Sequence, residues 1–221
     1  MKKLLLSITC IFMGQTAFAC SELLDSEMRI LDSAESQNLC EYEGKTLLVV
    51  NVASRCGYTY QYASLQALYE KYKEEDFVVL GIPSRDFFQE YSDESDVAEF
   101  CSTEYGVNFP MFSTVKVRGK KAHPFYKKLK KESGVEPTWN FNKYLISKNG
   151  KVVSTFKSGV KPDSPELISA MLGLQLFTSH ALGLSLLTHG LLDHPFSFRH
   201  SQTQEQIQHT HQLPPWRAKL P

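Results

Sequence analysis

Cys56 stands at a position where a thiol could act as a nucleophile. It follows a continuous aliphatic run, Thr46–Val52, and precedes a segment with helical spacing that begins near Gln61. A cysteine between a strand and a helix lies at the helix N-terminus, where unpaired N–H groups and the positive end of the helix dipole favour the thiolate. Because the thiolate is the nucleophilic form, this placement predicts a reactive sulfur at neutral pH.

The alternative for Cys56 is an inert, buried cysteine, which is the usual state of a free thiol. Gly57 and the polar residues around it favour an accessible sulfur over a buried one. Arg55 could add a positive charge beside the sulfur, which would also favour the thiolate. We therefore favour a reactive cysteine, and the inert one stays as the alternative.

The N-terminal segment has the pattern of an export signal. Two lysines are followed by an apolar run over residues 4–13 and by Ala-Phe-Ala at residues 17–19, which together match a signal peptide with its cleavage site. An uncleaved anchor is the weaker interpretation, since the run is shorter than the ~20 residues that cross a bilayer. Residues 1–19 are therefore predicted to be removed on export, with the bacterial periplasm as the expected location.

Cys20 would be the first residue of the exported chain. A cysteine at that position also allows lipoprotein processing, but Ala17 and Phe18 fit that signal poorly. Membrane association is therefore not expected unless Cys20 carries a lipid.

The charges of the chain balance. Lys plus Arg and Asp plus Glu number 24 each, so no charge excess points to nucleic acid or to an anionic membrane.

Removal of residues 1–19 leaves four cysteines in a compartment that permits disulfides. They are Cys20, Cys40, Cys56 and Cys101. The sequence has no C-x-x-C pair and no zinc-ligand spacing around these cysteines, so neither a structural metal nor a resident cofactor is expected. A structural bridge and redox chemistry remain as their two roles.

The elements that would position these cysteines follow from hydrophobic periodicity. Strands are predicted at residues 46–52, 77–82, 112–117, 143–147 and 151–156, the last two as a hairpin around Asn149-Gly150. Helices are predicted at residues 61–73, 92–105 with Ser92 or Asp93 as N-cap, 124–131 and 165–171. Residues 21–40 are expected to form a short helix or hairpin. This order indicates an α/β fold, a thioredoxin-like mixed central β-sheet flanked by helices on both faces.

Residues 172–221 differ in character from the rest of the chain. Six of the seven histidines fall there at irregular spacing, which favours a poorly ordered tail over a metal site. The leucine-rich part at residues 172–192 is interrupted by histidines and polar residues, so it is a poor transmembrane segment and better interpreted as a modest amphipathic helix. The catalytic-sized domain is therefore predicted to span residues 20–171.

Several segments, in order along the chain, resemble the glutathione peroxidase family. The first ends in Asn-Val-Ala-Ser-Arg-Cys-Gly-Tyr-Thr at residues 51–59, with Cys56 where some members carry selenocysteine. Later matches lie at residues 79–83, 99–101, 105–110, 122–124 and 139–145. The resemblance covers about residues 28–171 and implies a thiol-dependent peroxidase of thioredoxin-like fold that reduces hydrogen peroxide or organic hydroperoxides in antioxidant defence.

The resemblance also implies a catalytic cluster in which Trp139 and Asn140 hold hydrogen-bond donors near the sulfur of Cys56. The indole N–H is a donor only, and the asparagine amide offers two donors. Both suit a thiolate and the developing alkoxide or hydroxide of a breaking O–O bond. Without the resemblance, an aromatic core residue followed by a turn asparagine would be the simpler interpretation.

Residues 82–90 depart from the family pattern. The family usually has Phe-Pro-Cys-Asn-Gln-Phe-Gly-Gly-Gln-Glu, and Asp86 occupies the place of its catalytic glutamine. A carboxylate near a thiolate disfavours the thiolate unless the acid is protonated or paired, and Arg85 and Arg55 are the candidate partners. Asp86 is therefore a candidate site residue, and we expect Asp86→Gln to preserve or raise the peroxidase rate.

The remaining cysteines receive roles from the same resemblance. Ser84 replaces a cysteine found in many relatives, but Cys101 aligns with the resolving cysteine of two-cysteine members. It would condense with the sulfenic acid of Cys56, and a thioredoxin-like protein or glutathione would then restore both thiols as co-substrate. The alternative is a core cysteine on an amphipathic helix. Cys20 and Cys40 are then left, and we predict a structural disulfide between them, with an unpaired Cys40 as the alternative.

Two other classes of protein share parts of this pattern. An exported thiol-disulfide oxidoreductase needs a second cysteine three positions after the first, where this chain has Thr59. A redox-sensing or metal-binding thioredoxin-like module would need a soft ligand pair near Cys56, which the sequence lacks. The peroxidase interpretation is favoured over both.

Overall fold

The computed structural model describes residues 20–183, with side chains described as far as Leu174. The predicted signal peptide at residues 1–19 and most of the histidine-rich tail lie outside the described residues. Both therefore stay predictions.

The described chain begins with a small antiparallel hairpin. Strand β1 (Glu27–Arg29) pairs with β2 (Ser36–Asn38), and a short 3-10 turn, Leu39–Tyr42, leads into the main sheet. Of the two conformations that the sequence allowed for residues 21–40, the hairpin is the one formed.

The main sheet has four strands, β3 (Thr46–Val52), β4 (Phe77–Pro83), β5 (Lys143–Ile146) and β6 (Val152–Phe156). Their order is β4-β3-β5-β6, with β3 parallel to β4 and antiparallel to β5. Every residue of β3 and β4 is buried, which is why both read as continuous apolar runs rather than alternating ones. The sheet is mixed, as predicted, and β3 lies inside it.

Four helices cover the two faces of this sheet. They are α1 (Gln61–Tyr72), α2 (Glu94–Tyr105), α3 (Pro124–Ser133) and α4 (Pro165–Gly183). Leu48 and Val50 of β3 share an apolar cluster with residues of α1, α2 and α4. Leu47 and Val49, which point to the opposite face, share the other cluster with residues of α3. The thioredoxin-like α/β fold with helices on both faces is thus confirmed.

The hairpin prediction around Asn149-Gly150 is also confirmed. β5 and β6 pair antiparallel across this turn, and Gly150 has a φ of 66°. That backbone conformation costs glycine little and most other residues more. The register shifts between Leu145 and Ile146, which places a bulge in this otherwise regular pair.

Two predicted elements differ from the structure. Residues 112–117 form no strand within the described chain. The isolated bridges here join Ile30 to Phe112 and, one residue before the segment, Gly81 to Met111. The segment follows the end of β4 through single contacts, such as the bond from Val115 N to Pro83 O at 3.1 Å, so no ladder develops. Helix α4 continues beyond the predicted end at residue 171. No helix among residues 20–183 is long and apolar enough to cross a membrane.

Candidate active site

Cys56 lies in the turn between β3 and α1, where the sequence placed it. Its main-chain N–H donates to Thr59 Oγ1 at 2.9 Å, and its carbonyl accepts from Thr59 N at 3.0 Å. The Tyr58 N–H donates to Cys56 Sγ at 3.4 Å. A main-chain donor that faces the sulfur stabilises negative charge on it, so this turn suits a thiolate.

The Cys56 side chain is less accessible than the sequence suggested. It is 9% exposed and belongs to the apolar cluster that packs beneath α1. The expectation of an accessible sulfur was wrong, because Arg55 and Gly57 on either side are exposed while the cysteine itself packs into the fold.

Arg55, the residue before Cys56, makes a different contact from the one proposed. Its guanidinium lies over the ring of Tyr91, 5.7 Å from the ring centroid, which is the geometry of a cation–π contact. Its main-chain N–H donates to Gln89 O at 2.9 Å. Arg55 therefore joins the Cys56 turn to the loop that follows β4.

Trp139 and Asn140 lie in the loop that leads into β5, and Asn51 attaches this loop to β3. The buried Asn51 side chain donates through Nδ2 to Trp139 O at 2.9 Å. Its main-chain carbonyl accepts from Phe141 N at 2.6 Å. Since β3 runs on into the Cys56 turn, these contacts bring the loop of Trp139 and Asn140 to the end of the same strand.

The two predicted donors differ in exposure. Asn140 is fully buried, whereas Trp139 is 42% exposed, with its ring 5.5 Å from that of Phe87. Asn140 Nδ2 donates to Gln89 Oε1 at 3.1 Å, and Asn140 Oδ1 has no hydrogen-bond partner among residues 20–183. The site thus combines a buried amide with an indole that reaches solvent.

The residue after Asn140 is held in an unusual conformation. Phe141 has a φ of 62°, which costs a non-glycine residue roughly 1–2 kcal/mol. Its carbonyl accepts from Lys143 Nζ at 2.8 Å, and its buried ring meets Tyr62 edge to face at 5.5 Å. Burial lowers the pKa of Lys143 to about 7, so this amine is a buried donor rather than a surface charge. Together these contacts fix the turn that carries Asn140.

The carboxylate of Asp86 is bound by a neighbouring segment of the chain. Its Oδ2 accepts from Val117 N at 2.7 Å and from Arg118 N at 3.2 Å. Its ion-pair partner is Lys116, with Nζ 3.6 Å from Oδ1. The proposed pairing with Arg85 or Arg55 was wrong, because the chain after residue 112 returns beside β4 and offers both N–H groups and a lysine to this carboxylate.

Glu90 is a structural residue of the site that sequence reasoning missed. It is buried, and its Oε1 accepts from Ser54 N at 3.0 Å and from Tyr91 N at 2.9 Å. Burial raises the pKa of its carboxyl group. The loop after β4 is therefore fastened to the Cys56 turn two residues before the cysteine. The only sequence signal was the Gln-Glu pair that the family pattern shares.

Cys101 lies within α2 and is fully buried. It is a free thiol, as is Cys56, and burial raises its pKa to about 12. Cys20 and Cys40 form a disulfide with their Cα atoms 5.5 Å apart, which confirms the predicted bridge. Among residues 20–183, no three His, Cys, Asp or Glu side chains are grouped so that they could hold a metal ion.

Comparison with known proteins places this geometry in a family. The family described as glutathione peroxidase matches residues 23–130. The chain is 45% identical over 137 residues to a glutathione peroxidase homolog, BsaA, of Halalkalibacterium halodurans, a match that covers 60% of this chain and 87% of that protein. It is also 45% identical over 136 residues to the hydroperoxy fatty acid reductase gpx1 of Synechocystis, covering 57% of this chain and 80% of that protein.

Solved structures agree with this result. The crystal structure of Trgpx in apo form matches with a TM-score of 0.57 and 33% identity, over 71% of this chain and 97% of that one. A secreted thiol-disulfide isomerase from Corynebacterium glutamicum matches with a TM-score of 0.53 over 68% of this chain and 83% of that one, but at 18% identity it shares the fold alone. With Cys56, Trp139 and Asn140 placed by two adjacent strands, and with relatives of this identity and coverage, the chain belongs to the glutathione peroxidase family.

Proposed function

We propose that this chain is an exported two-cysteine peroxidase that reduces peroxides at Cys56 and resolves the oxidised sulfur with Cys101. The observation that carries the proposal is the attachment of the Trp139–Asn140 loop to β3 through Asn51. It gathers a sulfur at a helix N-terminus and two side-chain donors at one end of one strand. Family membership makes the chain a thiol peroxidase, and the steps below assign its residues.

In the first step the Cys56 thiolate attacks one oxygen of the peroxide. An S–O bond forms and the O–O bond breaks, so the sulfur is oxidised by two electrons and the peroxide is reduced. The leaving oxygen departs as an alcohol or water once it has taken a proton. Donors held by Asn140 and Trp139 stabilise the negative charge that develops on this oxygen.

In the second step the Cys101 thiolate attacks the sulfur of the Cys56 sulfenic acid. An S–S bond forms and the S–OH bond breaks, and the hydroxide leaves as water once it takes up the proton that the Cys101 thiol has lost. Cys101 must first lose its proton and leave the core, since its pKa is about 12 in the folded state. The second step therefore depends on local opening of α2.

Helix α2 is suited to such opening. Its sequence, ESDVAEFCSTEY, contains several residues of modest helix propensity. The hydroxyls of Ser102 and Thr103 both donate to the Glu99 carbonyl, at 2.9 Å and 2.8 Å, and such back-bonding weakens a helix slightly. The Asp93 cap makes no side-chain hydrogen bond to the helix within the described chain. The back-bonding and the uncapped N-terminus favour partial unwinding, whereas the C-terminal cap, in which Gly106 N donates to the carbonyls of Cys101 and Ser102, opposes it.

A dithiol reductant completes the cycle by thiol–disulfide exchange. We propose a thioredoxin-like protein as this co-substrate, with glutathione as the alternative. Four of the relatives are described as glutathione peroxidase-like peroxiredoxins, a name that supports turnover with such a protein.

Organic hydroperoxides are proposed as substrates beside hydrogen peroxide. One relative is described as a hydroperoxy fatty acid reductase. In this chain Phe88 and Trp139 are exposed, at 96% and 42%, and Phe87 packs on the Trp139 ring. These aromatic groups offer apolar surface to the organic part of a hydroperoxide, while only its terminal oxygens need to reach Cys56.

The disulfide between Cys20 and Cys40 supports export to the periplasm. Such bonds persist in oxidising compartments and are rare in the cytosol. The signal pattern of residues 1–19 points the same way.

The thiol-disulfide oxidoreductase alternative is disfavoured by Thr59. Its hydroxyl donates to Ala53 O and accepts from Cys56 N, both at 2.9 Å. A hydroxyl that closes the turn stands where such an enzyme needs its second thiol. Insulin reduction by the purified protein would test this alternative directly.

The first experiment mixes the reduced mature protein with stoichiometric peroxide and follows the cysteines by intact mass and peptide mapping, beside Cys56→Ser. Rapid formation of a Cys56–Cys101 disulfide in the wild type alone is the expected result. A persistent sulfenic acid on Cys56 would retain the peroxidase and assign resolution to an external thiol. An unmodified Cys56 would contradict the proposed function.

A further inference from the structure

The amide that the family resemblance implies at position 86 is missing from this chain, because Asp86 stands there. Its carboxylate is also bound elsewhere, to the main-chain N–H groups of Val117 and Arg118 and to Lys116. The two carboxylate oxygens of Asp86 therefore bind residues 116–118 and are not available to bind a peroxide. The cluster around Cys56 therefore takes no side-chain amide from position 86.

Gln89 supplies an amide three residues further along the same loop. Its main-chain carbonyl accepts from Arg55 N at 2.9 Å, next to the peroxide-reducing cysteine. Its side-chain Oε1 accepts from Asn140 Nδ2 at 3.1 Å. One half-buried residue thus touches both the turn of Cys56 and the buried amide that the reaction uses.

We propose that Gln89 is a positioning residue for the peroxidase reaction and fixes the orientation of the Asn140 amide. This inference rests on the proposed function of Cys56. The last torsion of an asparagine side chain is broad and nearly two-fold. Packing can therefore fix the plane of the amide, but it distinguishes poorly between the oxygen and the nitrogen, which have similar sizes. Within residues 20–183, the bond to Gln89 is the one hydrogen bond that the Asn140 side chain makes.

The chemical consequence lies in the second N–H of Asn140. With one N–H given to Gln89 Oε1, the amide keeps another N–H for the oxygen that leaves the peroxide. If the amide turned over, its carbonyl lone pairs would replace that donor and would oppose the negative charge. Gln89 therefore acts through Asn140 and not through contact with the sulfur.

The test is a double-mutant cycle on the rate of Cys56 oxidation by hydrogen peroxide in a single turnover. We expect Gln89→Leu to lower this rate roughly 10- to 100-fold, the size of effect that misplacing a catalytic group produces. Asn140→Ala should also lower it. The double variant should be no slower than Asn140→Ala alone, because a positioning residue has no effect once its target is gone.

Two further measurements separate positioning from a general structural effect. Gln89→Glu keeps the acceptor oxygen and loses the amide N–H, so it should retain a rate near that of the wild type when both are compared at a pH where Cys56 is fully ionised. The rate at which iodoacetamide alkylates Cys56 is measured as a function of pH. At high pH this rate should reach the same plateau in Gln89→Leu as in the wild type, because the substitution leaves the sulfur itself unchanged.

The matched control is a second glutamine–asparagine pair in the same chain. Gln66 of α1 accepts from Asn108 N at 2.9 Å and donates to Asn108 Oδ1 at 2.6 Å. Gln66→Leu removes a comparable amide contact outside the site and should leave the oxidation rate unchanged. Thermal unfolding of each variant shows whether it is folded. If Gln89→Leu does not fold, Gln89→Met carries the test, because it also removes the acceptor oxygen and should lower the oxidation rate by a similar factor.

Three results would overturn the inference. They are an unchanged rate in Gln89→Leu, additive losses in the double variant, or an equal loss in Gln89→Leu and Gln89→Glu, which would assign the effect to the amide donor itself. Each of them leaves the wild-type oxidation rate intact. A wild-type Cys56 that does not react with peroxide would instead contradict the proposed function.

Discussion

The four described cysteines form two pairs with opposite geometry. Cys20 and Cys40 are already bonded, with Cα atoms 5.5 Å apart at the N-terminal hairpin. Cys56 and Cys101 are separate thiols on different elements, one at the start of a helix and the other buried within α2. The comparison shows that the first pair is joined in the folded state and the second is not, and we propose that the second pair joins when part of the fold opens.

The largest effect is expected at Cys56. Cys56→Ser removes the nucleophile, so peroxide consumption should fall by more than roughly 1,000-fold, as when other enzymes lose a nucleophilic residue. Consumption of peroxide is measured with a thioredoxin system as reductant. Comparable activity in Cys56→Ser and the wild type would show that the second pair has been assigned wrongly.

Cys101→Ser should separate the two steps of the cycle. The first oxidation of Cys56 should keep its rate, because Cys101 is not one of the hydrogen-bond donors, Trp139 and Asn140, that are proposed to act on the peroxide. Turnover with a protein dithiol should fall by about 100-fold or more, since an intramolecular thiol has a large advantage over an external one. Stopped-flow oxidation and steady-state turnover are measured on the same preparation, and unchanged turnover would make Cys101 a core residue only.

The bonded pair should matter for stability and not for catalysis. Replacing both Cys20 and Cys40 by serine should lower the free energy of unfolding by about 2–4 kcal/mol, the usual contribution of a disulfide. Urea unfolding at neutral pH measures this, with the wild type in its oxidised form as reference. A large loss of single-turnover rate in this variant would contradict the assignment of the Cys20–Cys40 pair to stability alone.

A smaller effect should appear in the pH dependence of stability. The folded Cys101 has a raised pKa of about 12 against an ordinary value of 9.0, so the folded state holds this proton more tightly than the unfolded state. The stabilisation is complete below about pH 9 and is lost as the pH rises toward 12. Between pH 8 and pH 10 the wild type should therefore lose about 1 kcal/mol more than Cys101→Ala. Parallel urea curves for the two proteins would show that Cys101 is not held protonated by burial.

The strongly patterned parts of the chain could be predicted from sequence. β3 and β4 are buried on both faces and read as aliphatic runs, and Asn149-Gly150 marks its hairpin by backbone chemistry alone. Residues 112–117 were assigned wrongly because apolar composition does not reveal whether a neighbouring strand offers a continuous ladder.

The site was predictable to the extent that it depends on local sequence and on the family resemblance. These placed Cys56 at the strand–helix junction and predicted Trp139 and Asn140 as its hydrogen-bond donors. They could not show that Asp86 binds Lys116 or that Gln89 reaches Asn140, because both contacts join loops far apart in sequence. The degree of burial of Cys56 was missed for a related reason, since it depends on how the turn packs against the core.

The bridge at the N-terminal hairpin also has a consequence for membrane attachment, if the chain is exported as we propose. Lipoprotein processing attaches its lipid through the sulfur of the cysteine that follows the cleavage site, and in the predicted signal that residue is Cys20. A sulfur bonded to Cys40 cannot carry a lipid as well. The disulfide and the lipid anchor are therefore mutually exclusive, and a chain that has formed the bridge has given up this route to membrane attachment.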